Sequence, residues 1–321
     1  MPWPLLERFP ELSILKPSAL CSLPTAVEPL PGIGANCWVK RDDISARPYG
    51  GNKLRKLEWI LPDIRREDAH TVVTLGATGT NAGLATSLLC RNEGLQCDIF
   101  TFPQPDSPVV RQNRLAMQQA GARLHDRGSL LGAALGWYLH PGRLKRGYYF
   151  LYAGCSNPVA TLGYVNAMLE LKQQIDEGLC PAPAALVVAA GSCATAAGLL
   201  VGSQISGLNT RIHAVQVAPT RLGPFSVCNA RLTLGMAHTA WQQLGEPGEL
   251  NPHLLHWHDN YLGKGYGQAS ELTRQAKTQA ARQGLLVEDT YSGKAFAAFS
   301  AISQQQPGPT LFWHTFNAHP L

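Results

Sequence analysis

Lys40-Arg41-Asp42-Asp43, followed by Gly50-Gly51-Asn52-Lys53-Leu54-Arg55-Lys56-Leu57-Glu58, decides how this chain is read. Two adjacent glycines let the backbone come close to a bound group. One polar residue then precedes Lys53, and Leu54, Leu57, Ile60 and Leu61 follow at helical spacing. A lysine at such a loop-to-helix junction, packed among apolar neighbours, loses solvation. Its pKa falls and its amine becomes nucleophilic. The segment alone also fits a glycine turn ending in a surface lysine.

Outward from this segment, short apolar runs alternate with helical patterns. Strands are expected at 37–40, 71–76, 97–102, 122–124, 148–152, 185–190, 211–217, 286–288 and 310–314. Helices are expected after Lys53 and over 81–91, 158–177, 194–206, 268–283 and 293–304, with a helical pattern late in 104–121. This alternation is the signature of doubly wound α/β sheets. The stretch 218–265 is the least regular and reads as loops over a site.

At 321 residues the chain exceeds the size at which one core keeps growing, so two domains are expected. Charged residues make up 15% of it, against a usual ~25%. A lightly charged surface suits an oligomer. The net charge of +5 is spread without a basic run, so neither a nucleic-acid nor a membrane partner is expected. Eight cysteines show no paired spacing, which argues against a disulfide framework and a zinc site. His253, His256 and His258 have a spacing that could ligate a metal, but no carboxylate or cysteine stands upstream at ligand spacing, and no metal is expected. Charged and proline residues interrupt Met1 to Leu15, and no apolar run reaches about 18 residues. A cytoplasmic location is the expectation.

A second junction, Leu186-Val187-Val188-Ala189-Ala190-Gly191-Ser192-Cys193-Ala194-Thr195, is an apolar strand, a small-residue turn and a helix start. Free N–H groups and the helix dipole make such a turn an anion site, with the Ser192 and Thr195 hydroxyls as added donors. It is neither GxGxxG nor a Walker loop. Thr78-Gly79-Thr80-Asn81 is a third polar turn, which could bind a carboxylate or cap its own helix.

Further blocks stand in order along the chain. They are Leu6-Glu7-Arg8-Phe9-Pro10, Pro24 to Pro31, Gly154-Cys155-Ser156-Asn157-Pro158, Leu162-Gly163-Tyr164, Gly265-Tyr266-Gly267 and Asp289-Thr290-Tyr291-Ser292-Gly293-Lys294-Ala295. Together with the opening segment, the whole chain resembles the fold-type-II pyridoxal-phosphate (PLP) enzymes, tryptophan synthase β-like. Within them it resembles the 1-aminocyclopropane-1-carboxylate deaminase/D-cysteine desulfhydrase family. The resemblance implies two doubly wound open-sheet domains with the cofactor between them. The larger would comprise 1–55 plus 165–321 and the smaller 56–164, in a homodimer.

The resemblance also implies roles. Lys53 matches the lysine that forms a Schiff base with pyridoxal 5'-phosphate and later moves the substrate α-proton. Asn81 matches the asparagine on the cofactor's phenolic oxygen. Gly191, Ser192, Cys193, Ala194 and Thr195 match the phosphate turn. Thr80 stands where a serine contacts the substrate carboxylate or assists proton chemistry. Tyr291 and Tyr266 match site tyrosines. Ser292 stands where the deaminases place a glutamate against the pyridine nitrogen, and Thr315 is a second candidate there. Lys294 is read as a surface or supporting residue, and Arg55 and Lys56 as helix-face residues.

A neutral hydroxyl at the pyridine nitrogen suits β-elimination, in which the leaving group carries electrons away. The expected activity is therefore α,β-elimination on a small amino acid such as D-cysteine or a β-substituted alanine, giving pyruvate and ammonia. Departures from the family fall mostly on the substrate side. Gly79 replaces a glutamine and so removes a bulky polar side chain there, Thr80 replaces a serine, Ala82-Gly83-Leu84 replace polar or basic residues, Ala194 replaces a glycine, and Thr315-Phe316-Asn317 replaces Thr-Gly-Gly. They leave open the ring-opening deaminase, β-replacement, racemisation and a non-catalytic relative.

Overall fold

A computed structural model describes residues 3–222 and 225–319. Gly223 and Pro224, within the stretch expected to be loop, lie outside it. In chain order the strands are β1 (Val27–Pro29), β2 (Cys37–Arg41), β3 (Thr71–Ala77), β4 (Gln96–Phe102), β5 (Arg123–Asp126), β6 (Tyr148–Phe150), β7 (Ala185–Ala190), β8 (Arg211–Gln216), β9 (Arg221–Leu222), β10 (Phe225–Ser226), β11 (Leu255–His258) and β12 (Thr310–His314). The helices are α1 (Pro4–Arg8), α2 (Asn52–Arg66), α3 (Asn81–Glu93), α4 (Pro108–Gln119), α5 (Leu130–Tyr138), α6 (Pro158–Asp176), α7 (Ala194–Ile205), α8 (Ala230–Gln243), α9 (Glu271–Ala281) and α10 (Ser292–Ser303).

Two sheets carry the fold. One has the order β1-β2-β12-β7-β8-β11, parallel except for β1 on β2, and the other is all parallel in the order β5-β4-β3-β6. Parallel sheets must bury both faces, which is why their strands read as continuous apolar runs rather than alternating ones. In β7, Leu186 and Val188 pack under α6 and α7, while Val187 and Ala189 join Phe296 and Phe299 of α10 on the opposite face. Each such buried valine or leucine contributes on the order of 1.5–3 kcal/mol. The four-stranded sheet is covered likewise, by Leu57, Ile60 and Leu61 of α2 with Leu84 of α3 on one face and Trp137 of α5 on the other.

Strand order reverses once in each sheet, between β7 and β12 and between β3 and β6. Open α/β sheets bind ligands outside the carboxyl ends of their strands at such points. The Gly191 turn follows β7 and Thr315 follows β12; the Thr78–Asn81 turn follows β3 and residues 151–157 follow β6.

Several sequence expectations need correction. Residues 286–288 form no strand, and the Glu288 carboxylate accepts the N–H groups of Thr290, Tyr291 and Ser292 at the start of α10. The stretch 218–265 holds α8 and β11 as well as loop. Asn229 caps α8 by accepting Leu232 N–H at 2.8 Å, and Thr233, Ala237, Ala240 and Trp241 bury one face at helical spacing. Helix α5 also escaped the sequence reading, because Leu-Leu-Gly-Ala-Ala-Leu-Gly-Trp-Tyr contains no charged residue to mark a polar face.

Arg55 and Lys56 do not lie on an exposed helix face; both are buried. Arg55 bonds Asp42 at 2.8 Å and Glu170 at 3.0 Å, and Lys40 bonds Glu170 at 2.6 Å. Asp42 further accepts Tyr164 at 2.8 Å and the Trp313 indole at 2.7 Å. The charged stretch that opens the sequence reading is therefore largely an internal network pinning α2 to β2 and α6. His256 and His258 stack on His213 of β8, at ring separations of 4.8 and 5.1 Å, and not on His253. Among the described residues, no group of three or more His, Cys, Asp or Glu is placed to hold a metal.

Candidate active site

Lys53 lies in the first turn of α2. Gly51 precedes it with φ of 95°, and a Cβ there would stand 2.7 Å from the Thr315 carbonyl oxygen, so only glycine fits. The same carbonyl accepts the Asn52 N–H at 3.1 Å, tying the helix start to the end of β12. Lys53 Nζ donates to Asn52 Oδ1 at 2.7 Å, and Asn52 Nδ2 donates to Thr195 Oγ1 at 3.2 Å. Burial of the Lys53 ammonium pulls its pKa below the ordinary lysine value, against the opposing influence of Cys155 and Glu288. The amine is thereby biased toward its nucleophilic form.

Lys56, one turn further on, points the same way. Desolvation, reinforced by the Lys53 charge, lowers its pKa to about 7. Its one acceptor among the described residues is the Gly154 carbonyl, at 3.3 Å. An ammonium carries three donors, so two are left for an anion. Sequence reasoning placed Lys56 on the helix surface, although its i+3 spacing from Lys53 puts both on one helix face.

The turn after β7 supplies the remaining anion donors. Cys193 stands at the N-cap of α7 with φ of 67° and no side-chain cap; the Ser192 carbonyl accepts the Ala194 N–H at 2.9 Å, and the Thr195 and Ala196 N–H groups have no intrahelical acceptor. Ser192 Oγ accepts Ser156 Oγ at 2.7 Å, so the turn after β7 and the loop after β6 meet directly. A Cβ on Gly154 would reach Ser192 Oγ at 2.5 Å. A Cβ on Gly191 would come within 3.2 Å of the Tyr291 ring, which packs across that glycine. Ala194 and Thr195 are buried in the first turn of α7.

Tyr266 and Tyr291 are hydrogen-bonded hydroxyl to hydroxyl, with rings 5.8 Å apart and edge-on. Burial pushes Tyr266 up to about 12 despite its bond to Tyr291; burial and the neighbouring Tyr266 push Tyr291 well above the usual range. Lys294 is not a surface residue. It is buried, and its Nζ holds the Leu262 and Gly265 carbonyls at 2.8 Å, fixing the loop that presents Tyr266.

Across the cleft, Asn81 opens α3. Its Oδ1 accepts Asn113 Nδ2 at 2.8 Å and its backbone carbonyl accepts the Tyr49 hydroxyl at 3.1 Å, leaving the Asn81 Nδ2 donors for a ligand. Thr80 caps α3 by accepting Gly83 N–H at 3.2 Å, which still leaves its hydroxyl proton to donate. Its methyl sits 2.4 Å from where a Gly83 Cβ would be, so the added methyl and the small residue at 83 accommodate each other. The Cβ that Gly79 lacks would lie 2.7 Å from Val110 Cα of α4. The absent side chain therefore opens no room on the substrate side; it admits α4.

Ser292 Oγ accepts Glu288 N–H at 2.9 Å and bonds Glu288 Oε1 at 3.1 Å. The Thr315 hydroxyl makes no hydrogen bond among the described residues. The structure also brings Asn52, Lys56, Glu288, Asn113 and Ser156 against these groups, and sequence reasoning gave none of them a place there.

The site thus combines two lysines with lowered pKa, an uncapped helix start and paired tyrosines, set between two open sheets at their switch points. That arrangement defines an α/β enzyme built to hold a phosphorylated carbonyl compound against an amine. The family model for pyridoxal-phosphate dependent enzymes matches residues 20–315, and the chain belongs to that family. D-cysteine desulfhydrases of Salmonella paratyphi B and Salmonella typhimurium are 31% identical to it, over all of this chain and 98% of each relative. A crystal structure of an ACC deaminase homologue superposes with a TM-score of 0.82 at 27% identity, covering 97% of this chain and 95% of that one. A fungal L-serine ammonia-lyase from Rhizomucor miehei shares the fold at a TM-score of 0.66 and 15% identity, covering 92% of this chain and 94% of that one.

Proposed function

We propose that this protein is a pyridoxal-phosphate-dependent lyase that eliminates the β-substituent of a small amino acid, with D-cysteine or a β-substituted alanine as substrate and pyruvate and ammonia as final products. The observation that carries the reading is the pairing of a desolvated Lys53 with a separate anion cradle one helical turn away. A phosphorylated carbonyl cofactor needs both.

In this reading Gly191, Ser192, Cys193, Ala194 and Thr195, with Lys56 and Ser156, hold the phosphate. Two donors left on Lys56 and the start of α7 fit a dianion. Bound pyridoxal phosphate supplies a carbonyl for amine exchange and a conjugated ring that accepts the electron pair released at the substrate α-carbon. Lys53 anchors it and, once freed, takes the α-proton on Nζ, for which a lowered pKa is required. Asn81 Nδ2 donates toward the ring oxygen. Thr80, with its hydroxyl proton unspent on the helix cap, faces the substrate carboxylate. The Tyr266–Tyr291 pair, too weakly acidic to ionise near neutrality, serves as a proton donor at the leaving group.

For the ring nitrogen, Thr315 is supported over Ser292, whose hydroxyl is engaged by Glu288. Either supplies a neutral hydroxyl, which favours elimination over the opening of a ring without a leaving group. The larger unit comprises 1–55 with 165–321 and the smaller 56–164, in agreement with the two separate sheets. Eight free thiols suit a reducing cytoplasm, and no helix among the described residues is long and apolar enough to cross a membrane. A homodimer completes the proposal. The test is a panel of D-cysteine, β-chloro-D-alanine, L-cysteate and 1-aminocyclopropane-1-carboxylate with pyruvate, α-ketobutyrate and optical rotation followed. Pyruvate from D-cysteine or a β-substituted alanine supports it; α-ketobutyrate alone, or racemisation alone, overturns it.

A further inference from the structure

The loop after β4 has no role in the reading above. It runs Pro103-Gln104-Pro105-Asp106-Ser107 from the carboxyl end of β4 to the cap of α4, where Ser107 Oγ accepts Val110 N–H at 3.2 Å. Gln104 Oε1 accepts the Gly79 N–H at 3.2 Å, which fixes the carboxamide beside the Thr78–Asn81 turn. That bond also settles the amide orientation, because only the oxygen can accept. Nε2, with two donors, makes no hydrogen bond among the described residues.

The next residue carries the loop across the cleft. A Cβ on Gly267 would lie 3.2 Å from Pro105 Cδ, so the loop after β4 touches the Gly265–Gly267 loop of the other sheet. Tyr266, between those glycines, is bonded to Tyr291. Gln104 is thus bracketed by Gly79 and Thr80 on one side and by the tyrosine loop on the other. Proline on either side restricts its backbone and holds the amide in place.

We propose that Gln104 Nε2 binds the substrate α-carboxylate, beside the Thr80 hydroxyl, and so selects amino acids over simple amines. The inference rests on the amino-acid lyase reading. A substrate whose amine is exchanged at Lys53 carries its carboxylate on the same carbon, and that group needs donors that stay in the cleft. A carboxamide held by its own oxygen is preorganised to donate, with little rotamer freedom left to lose.

The experiment uses the cofactor-loaded full-length protein and two non-eliminating probes, D-alanine and ethylamine, with dissociation constants from calorimetry. In Gln104→Ala, D-alanine should bind about tenfold more weakly, the effect of one lost hydrogen bond to a charged group, while ethylamine is unaffected. Gln104→Glu keeps the acceptor for Gly79 N–H but offers an anion in place of the donor. It should weaken D-alanine further and leave cofactor content and the circular dichroism spectrum unchanged. Equal losses for both probes, or no loss for D-alanine, overturn the role of Gln104. A wild-type protein that loads cofactor yet binds neither probe overturns the lyase reading itself, and this inference with it.

Discussion

Asn52 and Thr195 are bonded side chain to side chain at 3.2 Å, and the same carboxamide accepts Lys53 Nζ at 2.7 Å. One amide thus sets the distance between the reactive amine on α2 and the anion turn on α7. A ligand that engages both must match that spacing.

Lys53→Ala should abolish the visible absorbance of covalently held cofactor and lower turnover by about a thousandfold or more, within the range for loss of a nucleophile and general base. Absorbance spectra before and after borohydride reduction check the first part. A variant that still retains cofactor after reduction would place the attachment elsewhere.

Desolvation and the Lys53 charge lower the Lys56 pKa to about 7, and a phosphate dianion beside it must raise that value. Phosphate affinity is therefore full below about pH 7 and declines as pH rises toward the higher, bound-state pKa. The slope is up to about tenfold per unit. Binding to Lys53→Ala removes the covalent contribution and also takes the Lys53 charge away from Lys56, so in that variant the decline should begin at a higher pH. Adding Lys56→Met should flatten it and weaken binding at pH 6.5.

Tyr291→Phe and Tyr266→Phe should each lower kcat by about a hundredfold, the usual worth of a positioned proton donor, with cofactor content unchanged. The phenyl ring of Tyr291→Phe still covers Gly191. Stopped-flow measurement of the elimination rate reads this directly. Full retention of kcat in both variants would exclude the pair from proton transfer.

Burial works against the Glu170 carboxylate, but Arg55 and Lys40 overcome it and hold its pKa at about 2. A carboxylate depressed on folding stabilises above its unfolded pKa, so its contribution is complete above about 4.5 and is lost as pH falls toward about 2. Glu170→Gln leaves the buried Lys40 without a carboxylate and Arg55 with Asp42 alone, and should cost about 3–5 kcal/mol at neutral pH. Urea unfolding midpoints at pH 7 and pH 3 would show a smaller difference between the two proteins at the lower pH.

Gly79→Gln tests what the smallness of that residue is for. Its Cβ would lie 2.7 Å from Val110 Cα, so α4 must move, at about 1–3 kcal/mol of lost stability. A variant as stable as the parent, with altered substrate preference, would return Gly79 to the substrate side.

Much of the framework was legible without coordinates. Residues 185–190 and 71–76 read as buried strands because parallel strands carry apolar side chains on both faces. Lys53, the Gly191–Thr195 turn and the Thr78–Asn81 turn stood out as candidates because each sets polar and small residues at the start of a helix. Helix α5 and the edge strand β11 were not: the first lacks a polar face, and the second is half-buried and bonded only to β8.

The amino-acid sequence by itself determined the alternating α/β architecture and set Lys53 and the Gly191–Thr195 turn at helix starts, because these depend on local periodicity and turn chemistry. Only the tertiary structure decided the state of the side chains that meet across the cleft. Lys56 and Arg55 share one helix with the exposed Arg65, and nothing local separates them. Burial lowers the pKa of one beside the Gly154 carbonyl, while Asp42 and Glu170 make the other an internal strut. Gly79 likewise reads as a loss until Val110 is seen to fill its place. Asp42 meets Tyr164 and Lys56 meets Gly154 across 122 and 98 residues of chain, and packing alone brings those partners together.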